Sequence, residues 1–158
     1  MKGKGFTLIE IMVVIAIIAL LSMIGVPSIM RSLSKAKRSE AHINLRSLYT
    51  AEKAHWAEHG TYSSVLRGPG GIGWQPEGYK GGGAGENFYY TYGFPGAEGI
   101  NYFTGNLETP GSYLSKAQAG RDGFLAIAAG DIDGDGKPDI LAIDQTGKIV
   151  VLEDDLAD

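Results

Sequence analysis

Four aspartates alternate or nearly alternate through Asp131-Ile132-Asp133-Gly134-Asp135-Gly136-Lys137-Pro138-Asp139. Alternating side chains on a tight loop converge on one point, and Gly136 permits the turn. Packed this closely, the carboxylates repel one another unless a cation sits among them. Ca²⁺ takes roughly six to eight hard oxygens at about 2.3–2.6 Å, and an all-protein cage favours it over Mg²⁺. The expected donors are the carboxylates of Asp131, Asp133, Asp135 and Asp139 and the carbonyl oxygen of Lys137. The bland alternative is a solvated acidic turn. An EF-hand is excluded, because its twelfth loop position needs a bidentate Glu and here is Ala142.

The second chemically pointed residue is Glu10, the one charge between Phe6 and Met30. About 20 apolar residues in a helix, rising 1.5 Å each, cross a bilayer core. Helix is obligatory there, since lipid cannot satisfy free backbone N–H and C=O groups. A carboxylate in such a segment costs roughly 2.5–3.5 kcal/mol and asks for a partner. Lys2 and Lys4 precede the run and fit the positive-inside rule.

With Lys4-Gly5-Phe6 ahead of the run and Glu10 as the fifth residue from Phe6, this region resembles the class III signal of type IV pilins. The resemblance implies cleavage between Gly5 and Phe6 by a prepilin peptidase and methylation of the new Phe6 amine. It also implies that Glu10 pairs with such an amine in a filament. Pro27 stands where pilins carry a helix-disrupting proline. A proline removes one helical hydrogen bond and crowds the carbonyl four residues back, so a kink or local melting is expected at Gly25-Val26-Pro27. The aspartate loop resembles the nine-residue DxDxDGxxD loop joining β-strands in integrin-type propeller repeats. Similar loops occur in the C-terminal hairpins of some pilins and secretion pseudopilins. A propeller itself needs several such units, and one is present.

Other groups carry less. His55 and His59 stand at helical i, i+4 spacing with Glu52 a turn back, a spacing that can bind zinc. No third strong ligand or HExxH pattern accompanies them, so an exposed pair is the better reading. The glycine clusters of 68–83 lack GxxxxGK[ST] and any strand–GxGxxG–helix context, which argues against a phosphate cradle. The absence of cysteine excludes disulfides and thiol catalysis, and leaves an exported head in need of another staple. Net charge is −4, and loss of Lys2 and Lys4 makes the chain two units more acidic. That balance argues against specific or general nucleic-acid binding. No Ser/His/Asp or paired-carboxylate arrangement marks an enzyme.

The elements that position these groups follow from composition and period. Residues 1–5 read as a leader, 6–30 as a transmembrane and filament-core helix, and 31–59 as its amphipathic continuation. Residues 60–85 read as a Gly-rich connection and 86–158 as a sheet head with the calcium-loop hairpin. Arg31, Lys35, Lys37 and Arg38 follow the span, either touching lipid headgroups or forming a solvated basic turn. At 100° per residue Ala41, Leu45, Leu48, Tyr49 and Trp56 share a face that should dock the sheet. Ala36, Ile43, Ser47, Thr50, Ala54 and Ala57 lie opposite and can pack on other helices. Gly60 is the expected helix stop. Strand signals run over 87–92, 124–128, 140–143 and 149–152, with 100–103 as a strand or loop and a tight turn at Gln145-Thr146-Gly147. The fold class is α+β: a long N-terminal helix packed on an antiparallel sheet of about four strands.

These readings converge on a structural subunit of a type IV pilus. It would sit in the inner membrane as a single-pass prepilin and later in an extracellular filament. Its partners would be the inner membrane, the peptidase, minor pilins, the assembly machinery and other copies of itself in a helical homopolymer. Its head would carry Ca²⁺. The alternative is a pseudopilin of a type II secretion system.

Overall fold

The computed structural model describes residues 5–157; the basic residues Lys2 and Lys4 lie outside that range. One helix, α1, spans Leu8–His59. Its N-terminus is a capping box. The Thr7 side chain meets the Glu10 backbone N–H at 3.4 Å, and Glu10 Oε2 accepts the Thr7 N–H at 2.7 Å. At the other end Gly60 adopts φ 70° and donates its N–H to the Trp56 carbonyl at 2.8 Å, the left-handed cap that glycine takes without strain. The helix runs through Pro27 without interruption, so of the kink or local melting expected there the melting does not occur. A proline removes a single intrahelical bond, and the ladder on either side of it persists.

The chain divides into two compact units, one up to Leu33 and one from Ser34 onward. Among its described residues, the first is helix from Leu8 on. Its large apolar side chains, from Phe6 to Leu33, are all about half exposed or more, and α1 is long and apolar enough to cross a membrane.

In the second unit, α1 buries Ser34, Ala41, Leu45, Leu48 and Glu52, a stripe recurring every three to four residues or every two turns. Tyr49 packs against this core as expected. Trp56 does not: it is 43% exposed and stacks on Tyr62, with ring centroids 6.1 Å apart. Tyr62 stands between it and Phe124, the Tyr62 and Phe124 ring centroids lying 5.0 Å apart, and the buried position one turn earlier on the helix is Glu52.

The sheet is antiparallel and has six strands rather than about four. They are β1 Thr91–Gly93, β2 Tyr102–Phe103, β3 Gln118–Ala119, β4 Phe124–Gly130, β5 Asp139–Asp144 and β6 Ile149–Glu153. The order is β2-β1-β4-β5-β6, with β3 also paired to β4. The aromatic run at 87–92 enters the sheet only from Thr91. The carbonyls of Phe88 and Tyr89 instead accept the N–H groups of Asn106 and Leu107, at 2.8 and 3.1 Å. The small residues Ala126, Ala128 and Ala129 put fully buried backbone at the sheet's centre. The β5–β6 turn falls at the predicted Gln145-Thr146-Gly147, where Gly147 N–H meets the Asp144 carbonyl at 2.9 Å. Between α1 and β1 the Gly-rich connection contains no helix or strand, but Tyr62, Leu66 and Trp74 bury their side chains in the core.

Candidate functional site

The aspartate loop is the connection between β4 and β5, closed at its base by the Gly130–Asp139 pair. Two of its carboxylates fold the loop on itself. Asp131 accepts the N–H of Gly134 at 2.8 Å and of Gly136 at 3.0 Å, and Asp133 accepts that of Asp135 at 3.1 Å. Gly134 and Gly136 take φ of 87° and 91°, a conformation that side chains resist. Asp135 accepts the N–H of Lys137 at 2.7 Å and pairs with its ammonium at 3.7 Å.

Carboxylate oxygens of Asp131, Asp133 and Asp155 lie within 4.8 Å of one another. Oxygens bound to one Ca²⁺ at about 2.4 Å are at most about 4.8 Å apart, so this spacing and the all-oxygen chemistry fit that ion. Asp155 lies outside the aspartate pattern of 131–139. It comes from the segment after β6, is 8% exposed, and accepts the Ile132 N–H at 3.0 Å. Burial raises its carboxyl above the ordinary range; the Ile132 N–H opposes that shift, and the charges of Asp133, Asp135 and Asp131 add to it. The signal that could have found it is the hairpin register. Pairing Ile143 with Ile149 and Ile140 with Glu153 carries the chain after β6 back alongside the loop.

Asp139, the last aspartate of the motif, stands elsewhere. It is fully buried and its two oxygens accept from Arg38 Nε at 2.9 Å, from Arg38 Nη2, from Tyr90 Oη at 2.7 Å and from the Asp155 N–H at 3.4 Å. The same guanidinium binds Asp154. Burial works against the charge on Arg38, but the carboxylates of Asp139 and Asp154 outweigh it and raise its pKa. Burial and then the Asp139 carboxylate raise the Tyr90 phenol. Lys37, the helix neighbour, gives its ammonium to the Ile132 carbonyl at 2.8 Å. Two of the four basic residues after the span are therefore tethers from the helix to the loop rather than a solvated turn. Sequence spacing could not show this, because the contacts join residues about a hundred positions apart.

At the other end, Gly5 and Phe6 precede α1, and both are exposed. Glu10 has a local partner: Thr7 gives Oε2 its N–H and its hydroxyl, each at 2.7 Å. His55 and His59 stack with centroids 4.3 Å apart, each δ nitrogen facing a backbone carbonyl, at Thr61 and His55 respectively.

Comparison with known proteins gives two family matches. Residues 1–26 match the prokaryotic N-terminal methylation motif, and residues 124–152 match the FG-GAP repeat. The chain is 42% identical over 76 residues to the type IV major pilin protein PilA of Myxococcus xanthus, covering 48% of this chain and 33% of that protein. It is 42% identical over 71 residues to the prepilin peptidase-dependent protein D of Escherichia coli, covering 45% and 49%. A third relative is the type II secretion system core protein G of Pectobacterium carotovorum, 38% identical over 67 residues, 42% of this chain and 43% of that protein. The matched stretch thus spans between a third and a half of each relative.

Proposed function

We propose that this chain, a member of the type IV pilin and pseudopilin superfamily, is a structural subunit of a surface filament. The observation that carries the reading is the unit up to Leu33. It is a helix with its apolar side chains exposed, set directly behind Gly5-Phe6 and Glu10 in the segment that matches the methylation motif. Such a surface is stable in only two settings, a lipid bilayer or a bundle of like helices. The subunit therefore waits in the inner membrane, is cleaved after Gly5 by a prepilin peptidase and methylated on Phe6, and moves into a helical homopolymer. Minor pilins and the assembly machinery are its further partners. Glu10 sets the register by meeting the Phe6 amine of a neighbour, since a buried carboxylate left unpaired is costly. The chain performs no catalysis. A secretion-system pseudopilin is the second reading, favoured by the likeness to core protein G.

The head's staple, in the same proposal, is Ca²⁺ at the β4–β5 loop. A bound divalent cation there supplies charge that offsets the repulsion among the aspartates. Asp131 and Asp133 converge to hold it, and Asp135 and the Lys137 carbonyl are placed next to them in the chain. Electron microscopy of cells lacking the chain tests the filament reading. Loss of surface filaments supports it. Filaments retained while protein secretion fails would move the assignment to the pseudopilin.

A further inference from the structure

We infer that Asp155, not Asp139, supplies the closing carboxylate of the calcium site, so that the ion clamps the C-terminal tail to the β4–β5 loop. The inference rests on the calcium reading above and asks which residues of the chain complete the cage. A nine-residue aspartate loop ordinarily closes on its own last aspartate. Here that residue is drawn into a different network. Arg38 is half-buried on α1 and carries an obligatory charge, which the two oxygens of Asp139 meet with side-on bonds. Tyr90 and the Asp155 N–H add to the same two oxygens. Four donors on two carboxylate oxygens leave little lone-pair capacity for an ion.

Asp155 has the opposite surroundings. Its carboxylate oxygen lies within 4.8 Å of those of Asp131 and Asp133, and the side chain is nearly fully buried. The chain turns directly after β6, where the Ala157 N–H meets the Asp154 carbonyl at 3.4 Å. In this turn Asp154 meets Arg38 while Asp155 accepts the Ile132 N–H of the loop. The tail thus serves both networks with consecutive residues. A cation at the loop then joins two places in the chain: the loop that follows β4 and the segment after β6. Removing the ion frees the tail as well as the loop, although the tail has no aspartate pattern of its own.

The test is calcium titration calorimetry on the full chain in detergent micelles, with circular dichroism to confirm folding of each variant. Asp155→Asn keeps an oxygen for the Ile132 N–H while removing the charge. It should lower calcium affinity by on the order of tenfold or more, given that even outer-shell partners of metal sites cost 10–100-fold. Asp154→Asn, its neighbour, should leave the affinity within about threefold of wild type, as should Asp139→Asn despite a lower melting temperature. Limited proteolysis should show the tail of the wild type cut after chelation and protected with calcium, and the tail of Asp155→Asn cut in both. Wild-type affinity in Asp155→Asn, with binding still abolished by Asp133→Ala, overturns the role of Asp155 and leaves the calcium reading standing. An affinity loss in Asp139→Asn as large as in Asp155→Asn returns Asp139 to the cage and overturns the exchange. No calcium binding by the folded wild type removes both.

Discussion

Replacing Glu52 by Gln should make the head more stable at neutral and alkaline pH and leave it unchanged in acid. Glu52 sits on the helix stripe that faces the sheet and is fully buried. One oxygen accepts the Ser63 N–H at 3.1 Å; the other is buried without a hydrogen-bond partner among the described residues. Burial pushes its carboxyl from 4.5 up to about 7, and the Ser63 bond restrains the rise only in part. The folded state therefore holds a proton that the unfolded chain has released, throughout the window from 4.5 to 7. Stability from this group is fully present below pH 4.5 and is lost as pH rises through 7. At 1.36 kcal/mol per pKa unit the loss is about 3 kcal/mol. Gln keeps the acceptor for Ser63 and cannot ionise. The difference between variant and wild type should grow from near zero at pH 4.5 to about 3 kcal/mol at pH 8, or roughly 10 °C in melting temperature for a head of this size. Thermal or urea melts of the full chain in micelles at several pH values measure it, and taking the difference cancels the other titrating groups. A difference that does not change between pH 4.5 and 8 would refute the reasoning.

Glu10→Ala should leave membrane content intact or raised, because a costly charge leaves the lipid, while the yield of sheared filaments falls; normal filament yield would show that Glu10 does not set the register. Arg38→Met should cost about 3–5 kcal/mol by stranding the buried Asp139 carboxylate, read as a loss of denaturant midpoint, and the further change to Asp139→Asn should recover part of it. Chelation should lower the melting temperature of the wild type, by about 2.7 kcal/mol of stability relative to a hundredfold calcium excess over Kd, and Asp133→Ala should show no calcium response. Equal melting with calcium and with chelator would reduce the loop to a solvated acidic turn.

Periodic apolar residues made the helix legible, and Gly60 marked its end, because both signals are local. The three main strands of the C-terminal half were legible from their β-branched runs and from the turn at Gln145-Thr146-Gly147. The two-residue strands β2 and β3 exist only through their neighbours, and a pair of residues carries no period. Thr7-Leu8-Ile9-Glu10 has the spacing of a capping box, while the apolar run around Glu10 points to a partner within the membrane. The candidate metal loop was legible as a loop. Its three-dimensional surroundings were not, since Arg38, Tyr90 and Asp155 reach it from distant parts of the chain. In the sequence Glu52 stands out only as the neighbour, one turn back, of the His55/His59 pair, and only its burial makes it a proton-binding group.

The most direct measurement is intact and N-terminal mass spectrometry of the protein recovered from purified, sheared surface filaments. The account predicts a chain that begins at Phe6, carries one methyl group on its amine and retains the whole apolar helix. A chain still beginning at Met1, one cut behind the apolar run, or filaments that do not contain the protein at all would contradict it.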